Sequence, residues 1–217
     1  MKKDRSAIAA NQPPDPDPVA RRRENPSAQR ILDAAREVLI RDGAAGFSMR
    51  NVAQAAQLGL ATVQYYFPTR DDLVRAMMRD TESRYRVATE KCLVGVPAKP
   101  LLRFKAILRF YLKDIADPVT RRWIIQLWAL LDTLDGQSGT LNREFYDMDI
   151  SGLSAYVAEL CPETPAADIR RRATLVAAML EGLVVVRGAH SPSPAELKRL
   201  STLAEQLGLQ IARGEIR

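Results

Sequence analysis

Ser48–Leu73, SMRNVAQAAQLGLATVQYYFPTRDDL, is the stretch from which the fold of this chain is read. Phe47-Ser48 opens a first short helix. Ser48 can accept a bond from an orphan backbone amide as N-cap, and Phe47 and Val52 stand at the two positions of a hydrophobic staple. Val52, Ala53 and Ala56 form a narrow apolar stripe, and Gln57-Leu58-Gly59 breaks the helix. Gly59 is a tolerable N-cap for a second helix, in which Val63 and Phe67, four apart, share one face and enter a core. Ala61, Gln64 and Tyr65 project to the other side, with Thr62 on the flank. Small, hydrogen-bonding and aromatic side chains of this kind suit a helix laid in the DNA major groove. Pro68 then ends the helix, because it lacks an N–H and crowds the preceding turn. Thr69 can cap a further helix whose first turn carries Asp71 and Asp72, where the helix dipole favours acids.

This is a helix-turn-helix pattern, a weak signal alone. Its surroundings add to it. Upstream, QRILDAAREVLIRDGAAGFS (Gln29–Ser48) resembles the first helix and loop of the TetR (tetracycline-repressor) family of bacterial regulators. TVQYYFPTRDDL (Thr62–Leu73) is similar to that family's recognition helix and the start of its fourth helix. The resemblance covers about residues 26–78. It departs from the family at two positions. Gln57 stands where Gly is usual, in a turn that asks for a left-handed backbone, and Gln64 stands where Tyr is usual.

The resemblance implies an all-α fold. A disordered arm (1–25) precedes a three-helix DNA-binding domain (26–72) and a helical bundle (73–217) for effector binding and dimerisation. It implies DNA contacts for Arg50, Leu60, Ala61, Thr62, Gln64, Tyr65, Tyr66 and Arg70. Leu60 could pack on a thymine methyl, Gln64 could bond bidentately to adenine, and Arg70 suits a phosphate. For Tyr65 and Tyr66 the alternative is packing alone. The family's second domain usually encloses an effector pocket, for which Trp123, Leu127, Trp128, Phe145 and Met148 are the candidate wall. The function implied is a dimeric, ligand-responsive repressor of a palindromic operator. The alternative is a small-molecule sensor or activator without tight operator binding.

Composition agrees with an anionic partner: 217 residues carry a formal net charge of +6, and 47% are hydrophobic. No apolar run is long enough to cross a bilayer, and MKKDRSAIAANQPPDPDP lacks a signal-peptide core, so a cytoplasmic protein without a membrane partner is expected. Cys92 and Cys161 have no metal spacing and are expected to be reduced and buried. The prolines alternating with Asp15 and Asp17 disfavour helix in the arm. Arg21-Arg22-Arg23 reads either as a solvated cluster or as a reach to the phosphates beside the recognition helix.

Helical periodicity predicts a first helix over about 27–42 and a long one over about 69–94. The long helix links the two units: Leu73 and Met77 belong to the first, Tyr85 and Val87 to the second. Further helices are expected near 100–116, 119–133, 141–160, 165–187 and 194–212. In the last two, Ile169, Ala173, Val176, Leu180 and Val184, with Leu200, Leu203, Leu207 and Ile211, form broad apolar faces. These faces fit either intrachain core or a four-helix dimer interface, and the resemblance favours the latter. No enzyme is expected. His190 is the single histidine and sits in a Gly/Ser/Pro loop, and phosphate-loop, CxxC, HExxH and GxSxG motifs are missing. No cofactor or metal is expected.

Overall fold

The computed structural model describes residues 25–134, 138–189 and 193–216. Among them the secondary structure is helical: α1 Pro26–Gly46, α2 Met49–Ala55, α3 Leu60–Tyr66, α4 Arg70–Cys92, α5 Pro100–Asp114, α6 Pro118–Asp132, α7 Ser138–Leu160, α8 Ala166–Ala189 and α9 Pro194–Arg213. The arm with Arg21–Arg23, and His190, lie outside the described residues. No helix is long and apolar enough to cross a membrane among those described.

Local chemistry accounts for the boundaries. Asn25 caps α1 by accepting from the Ser27 amide, with Pro26 in the first turn. Capping boxes start α4 (Thr69 with Asp72) and α9 (Ser193 with Glu196), and the Asp117 carboxylate accepts the Val119 and Thr120 amides at α6. The regular part of α1 stops at Gly43, whose φ of 73° leaves the helical region. The backbone favours glycine there, and a Cβ would sit 2.8 Å from the Gln126 side-chain oxygen, which would have to shift.

Two apolar cores result. The first takes Ile31, Val38 and Leu39 of α1, Val52 of α2, Val63 and Phe67 around α3, and Leu73, Val74, Ala76, Met77 and Met78 of α4. It also recruits Trp123, Leu127, Leu130 and Leu131 of α6. The second joins α5, α7, α8 and α9 through Phe104, Leu108, Leu153, Val176 and Ile211. The buried Arg187 guanidinium of α8 ties this bundle together. It donates to the Leu112 carbonyl at 3.0 Å and to the Ser201 hydroxyl at 2.8 Å.

Three expectations change. Val87 on α4 stays exposed, while Tyr85, two residues earlier, turns inward and bonds the Asp114 carboxylate. The cysteines are free but half-buried, not buried. On α8 and α9, the large apolar residues left exposed are Leu175, Val185, Val186, Leu203 and Leu207, of which only Leu203 and Leu207 belong to the predicted faces, whereas Ala173, Val176, Leu180 and Val184 fill the chain's own bundle.

Candidate nucleic-acid interface and ligand cavity

The three-helix unit is built to hold α3 from behind. Ser48 caps α2 and accepts from the Asn51 amide at 3.1 Å, while the Asn51 side chain donates to the Gly46 carbonyl at 2.8 Å. Phe47 and Val52 are both buried, which anchors the entry to α2. The turn between α2 and α3 passes through Gln57 at φ 53°, the one non-glycine residue at positive φ among those described. The Leu58 amide closes it onto the Ala53 carbonyl at 2.9 Å.

On α3, Val63 points into the core, followed by buried Phe67. Ala61, Gln64 and Tyr65 face outward, and Thr62 is half-buried on the flank. Arg50 on α2 is exposed. Leu60 and Tyr66 pack partly against the first core. The Tyr65 and Tyr66 rings meet edge to face at 5.2 Å. Arg70 sits differently from a free surface arginine. It is half-buried, one Nη donates to the Thr133 hydroxyl at 3.1 Å, and its Nε is enclosed without a partner. Thr133 caps the end of α6. Arg70 therefore bridges the three-helix unit and α6, a role that spacing along the chain gives no sign of.

Further bonds hold α6 against α1. Gln126 accepts the Ala44 amide at 2.8 Å, Arg122 donates to the Arg41 carbonyl at 3.2 Å, and the Arg36 guanidinium lies 4.1 Å above the Trp123 ring. Burial holds the Arg36 pKa below its ordinary value.

Behind α6 lies a cavity of about 650 Å³, bounded by α4, α5, α6, α7 and α8. All five residues read from the sequence as pocket wall, Trp123, Leu127, Trp128, Phe145 and Met148, line it. Tyr85, Tyr111 and Tyr156 add aromatic surface that the sequence reading left unassigned. Also missed were Asp149 and Glu181, two carboxylates in the lining. Burial pushes Asp149 up to about 6. Burial, with Asp149 nearby, pushes Glu181 up to about 7. One helical turn separates Asp149 from Phe145, so helix phase was the available signal. No cluster of acids, cysteines or histidine suited to a metal ion occurs among the described residues.

Comparisons with known proteins agree with this architecture. Residues 31–77 match the family described as bacterial regulatory proteins, tetR family. The chain is similar to the HTH-type transcriptional regulator BetI of Paraburkholderia phymatum, with 30% identity over 177 residues, 80% of this chain and 87% of the relative. Among solved structures, a transcriptional regulator from Pseudomonas aeruginosa PAO1 superposes with a TM-score of 0.67 at 17% identity, covering 91% of this chain and 94% of its own. FadR from Bacillus subtilis, solved in complex with stearoyl-CoA, gives a TM-score of 0.67 at 15% identity, covering 87% and 99%. Those two likenesses establish the fold alone. The helix-turn-helix unit and the similarity to BetI along most of both chains lead to one assignment: the chain belongs to the TetR family of transcriptional regulators, which are not enzymes.

Proposed function

We propose that the protein is a cytoplasmic, ligand-responsive repressor that binds a palindromic operator as a homodimer. The observation that carries this reading is the outward face of α3. Ala61, Gln64 and Tyr65 stand clear of the core on a helix held rigidly from behind. Residues 26–72 form the reading unit and residues 73–217 the sensing and dimerising unit, with residues 1–25 as an arm. Gln64 reads bases, Thr62, Tyr65 and Ala61 complete the groove contact, and Arg50, Leu60, Tyr66 and Arg70 border it.

The dimer forms through α8 and α9. Leu175, Val185, Val186, Leu203 and Leu207 leave an apolar surface on these helices. Such a surface, on a helical domain of this family, favours a four-helix contact between two copies. The cavity behind α6 receives the effector. A protein of similar fold was solved with stearoyl-CoA, which supports a ligand-holding role for the second domain.

Coupling follows from shared walls. Trp123 and Leu127 belong to the first core and also line the cavity, and α4 runs from Thr69 beside α3 to Tyr85 and Thr89 in the cavity wall. A ligand that favours one arrangement of α4 and α6 changes the separation of the two recognition helices. The shift is limited by the ligand's differential affinity for the two states, about 1–3 kcal/mol. The test is a thermal-shift screen of the full chain against metabolites and drugs, with stabilising compounds retested for operator release. A stabilising compound should weaken operator binding by roughly 5- to 150-fold. Unchanged operator affinity would refute coupling for that compound.

A further inference from the structure

The charges around the cavity are one-sided. Its charged lining consists of Glu82, Asp147, Asp149 and Glu181 against a single base, Arg86, among the described residues. The outer members have partners or solvent: Asp147 pairs with Arg170, Arg86 pairs with Glu90, and Glu82 is exposed. Asp149 and Glu181 differ. Neither has a hydrogen bond or ion pair among the described residues, and both are half-buried in the cavity lining. Partial burial without a partner disfavours the charged form of a carboxylate, and two such groups near each other also repel. Packing does not need them, since an apolar side chain would fill either position more favourably.

The rest of the wall complements a positive charge. Trp128, Phe145, Tyr111 and Tyr156 contribute aromatic rings, and ring faces attract cations. One face of Trp123 is already covered by Arg36, so the same chemistry operates one layer away, between the first core and the cavity. The Trp128 indole N–H is enclosed without a partner, which leaves a donor for a polar atom on a ligand. Much of the remaining lining is apolar, through Ile115, Leu127, Leu153, Ala177, Leu180 and Val184, with the hydroxyls of Thr81, Thr89 and Ser151.

We infer that the effector is an organic cation: an amine or alkylammonium on an apolar body, its charge held by Asp149 and Glu181 and flanked by the aromatic wall. This rests on the sensor reading above and names the ligand class for that site. The geometry disfavours carboxylates and phosphates, which would meet two unpaired acids, while the one base in the lining, Arg86, is exposed and paired with Glu90.

The chain has two tryptophans, Trp123 and Trp128, and both line the cavity, so intrinsic fluorescence reports on this site. The experiment titrates the full-length dimer with three compounds sharing one body: 4-phenylbutyltrimethylammonium, 4-phenylbutanol and 5-phenylvalerate. The cation should bind at least about tenfold tighter than the alcohol, and the carboxylate weakest. The Asp149→Asn and Glu181→Gln double variant should lose the preference for the cation while still binding the alcohol. Folding is checked by circular dichroism. Should the double variant not fold, each single variant must reduce the preference. Equal binding of cation and alcohol, or a preference retained by the variants, overturns the cation assignment but leaves a ligand cavity. Silence from all three compounds overturns the cavity reading as well.

Discussion

Gln57 carries the clearest local conflict between sequence and conformation. Its backbone lies at φ 53°, where a side chain crowds the following carbonyl and glycine does not. The side chain gains little in return, a weak contact from the Arg30 guanidinium at 3.5 Å. Gln57→Gly should therefore stabilise the folded chain by about 1 kcal/mol, since the relief of roughly 1–2 kcal/mol is partly offset by glycine's extra chain entropy. Urea denaturation of the two proteins checks this. Equal midpoints would mean that the surrounding turn already absorbs the strain. This conflict was legible from the chain, because the position calls for glycine in this motif. So were the caps at Ser48 and Thr69, whose partners lie three residues away. The pairing of Arg70 with Thr133, and of Gln126 with Ala44, was not legible. Local spacing gives the face of a helix, and says nothing of which distant element covers it.

At the scale of elements, α6 is the helix whose role the sequence understated. Periodicity located it, and the family resemblance with the aromatic content suggested Trp123, Leu127 and Trp128 for a pocket wall, which they line. The sequence could not tell that Trp123 and Leu127 serve the first core and the cavity wall at once, because an apolar face does not say which elements cover it. The α7 and α8 carboxylates were missed for the converse reason. Asp149 and Glu181 look like ordinary solvated acids until the helices are packed. Their burial has a pH consequence. Asp149 is pushed up to about 6 from 3.8 and Glu181 up to about 7 from 4.5. The folded chain thus holds more protons than the unfolded chain over that interval. The stability these groups contribute is fully present below the unfolded values and is lost as pH rises to 7. The groups facing them are Glu82, Tyr85 and Arg86 from α4, Tyr111 from α5, and Tyr146, Asp147 and Tyr156 from α7. Burial holds Tyr85, Tyr111 and Tyr146 neutral throughout, with Tyr146 pushed up to about 12. The Asp149→Asn, Glu181→Gln variant should gain in melting temperature over the parent as pH rises from 4 to 7. Over the same range, binding of 4-phenylbutyltrimethylammonium, whose own charge never titrates, should tighten in the parent alone. A melting-temperature difference that stays flat with pH would contradict this account of the carboxylates.

For the whole molecule, the account joins three surfaces on one helical frame: the outward face of α3, the cavity behind α6, and the apolar faces of α8 and α9. Helix number, order and chain position were legible in the sequence, because each amphipathic run is bounded by proline, glycine or a capping residue. The surface proposed for the dimer was legible only as a pair of apolar helices. Which residues on them remain exposed depends on how the bundle closes, and Leu175, Val185 and Leu203 emerge only then. The central claim is that two copies present α3 to two symmetric half-sites, with Gln64 reading a base. It is tested most directly by selection of duplexes from a randomised library at fixed salt, run with the parent chain and with Gln64→Ala. The parent should select a two-fold symmetric site whose half-site centres lie one helical turn, about 34 Å, or a small multiple apart. Gln64→Ala should relax preference at one symmetric pair of positions, by about 1–3 kcal/mol for each. An asymmetric site, no preferred sequence, or an unchanged preference in Gln64→Ala would contradict the account.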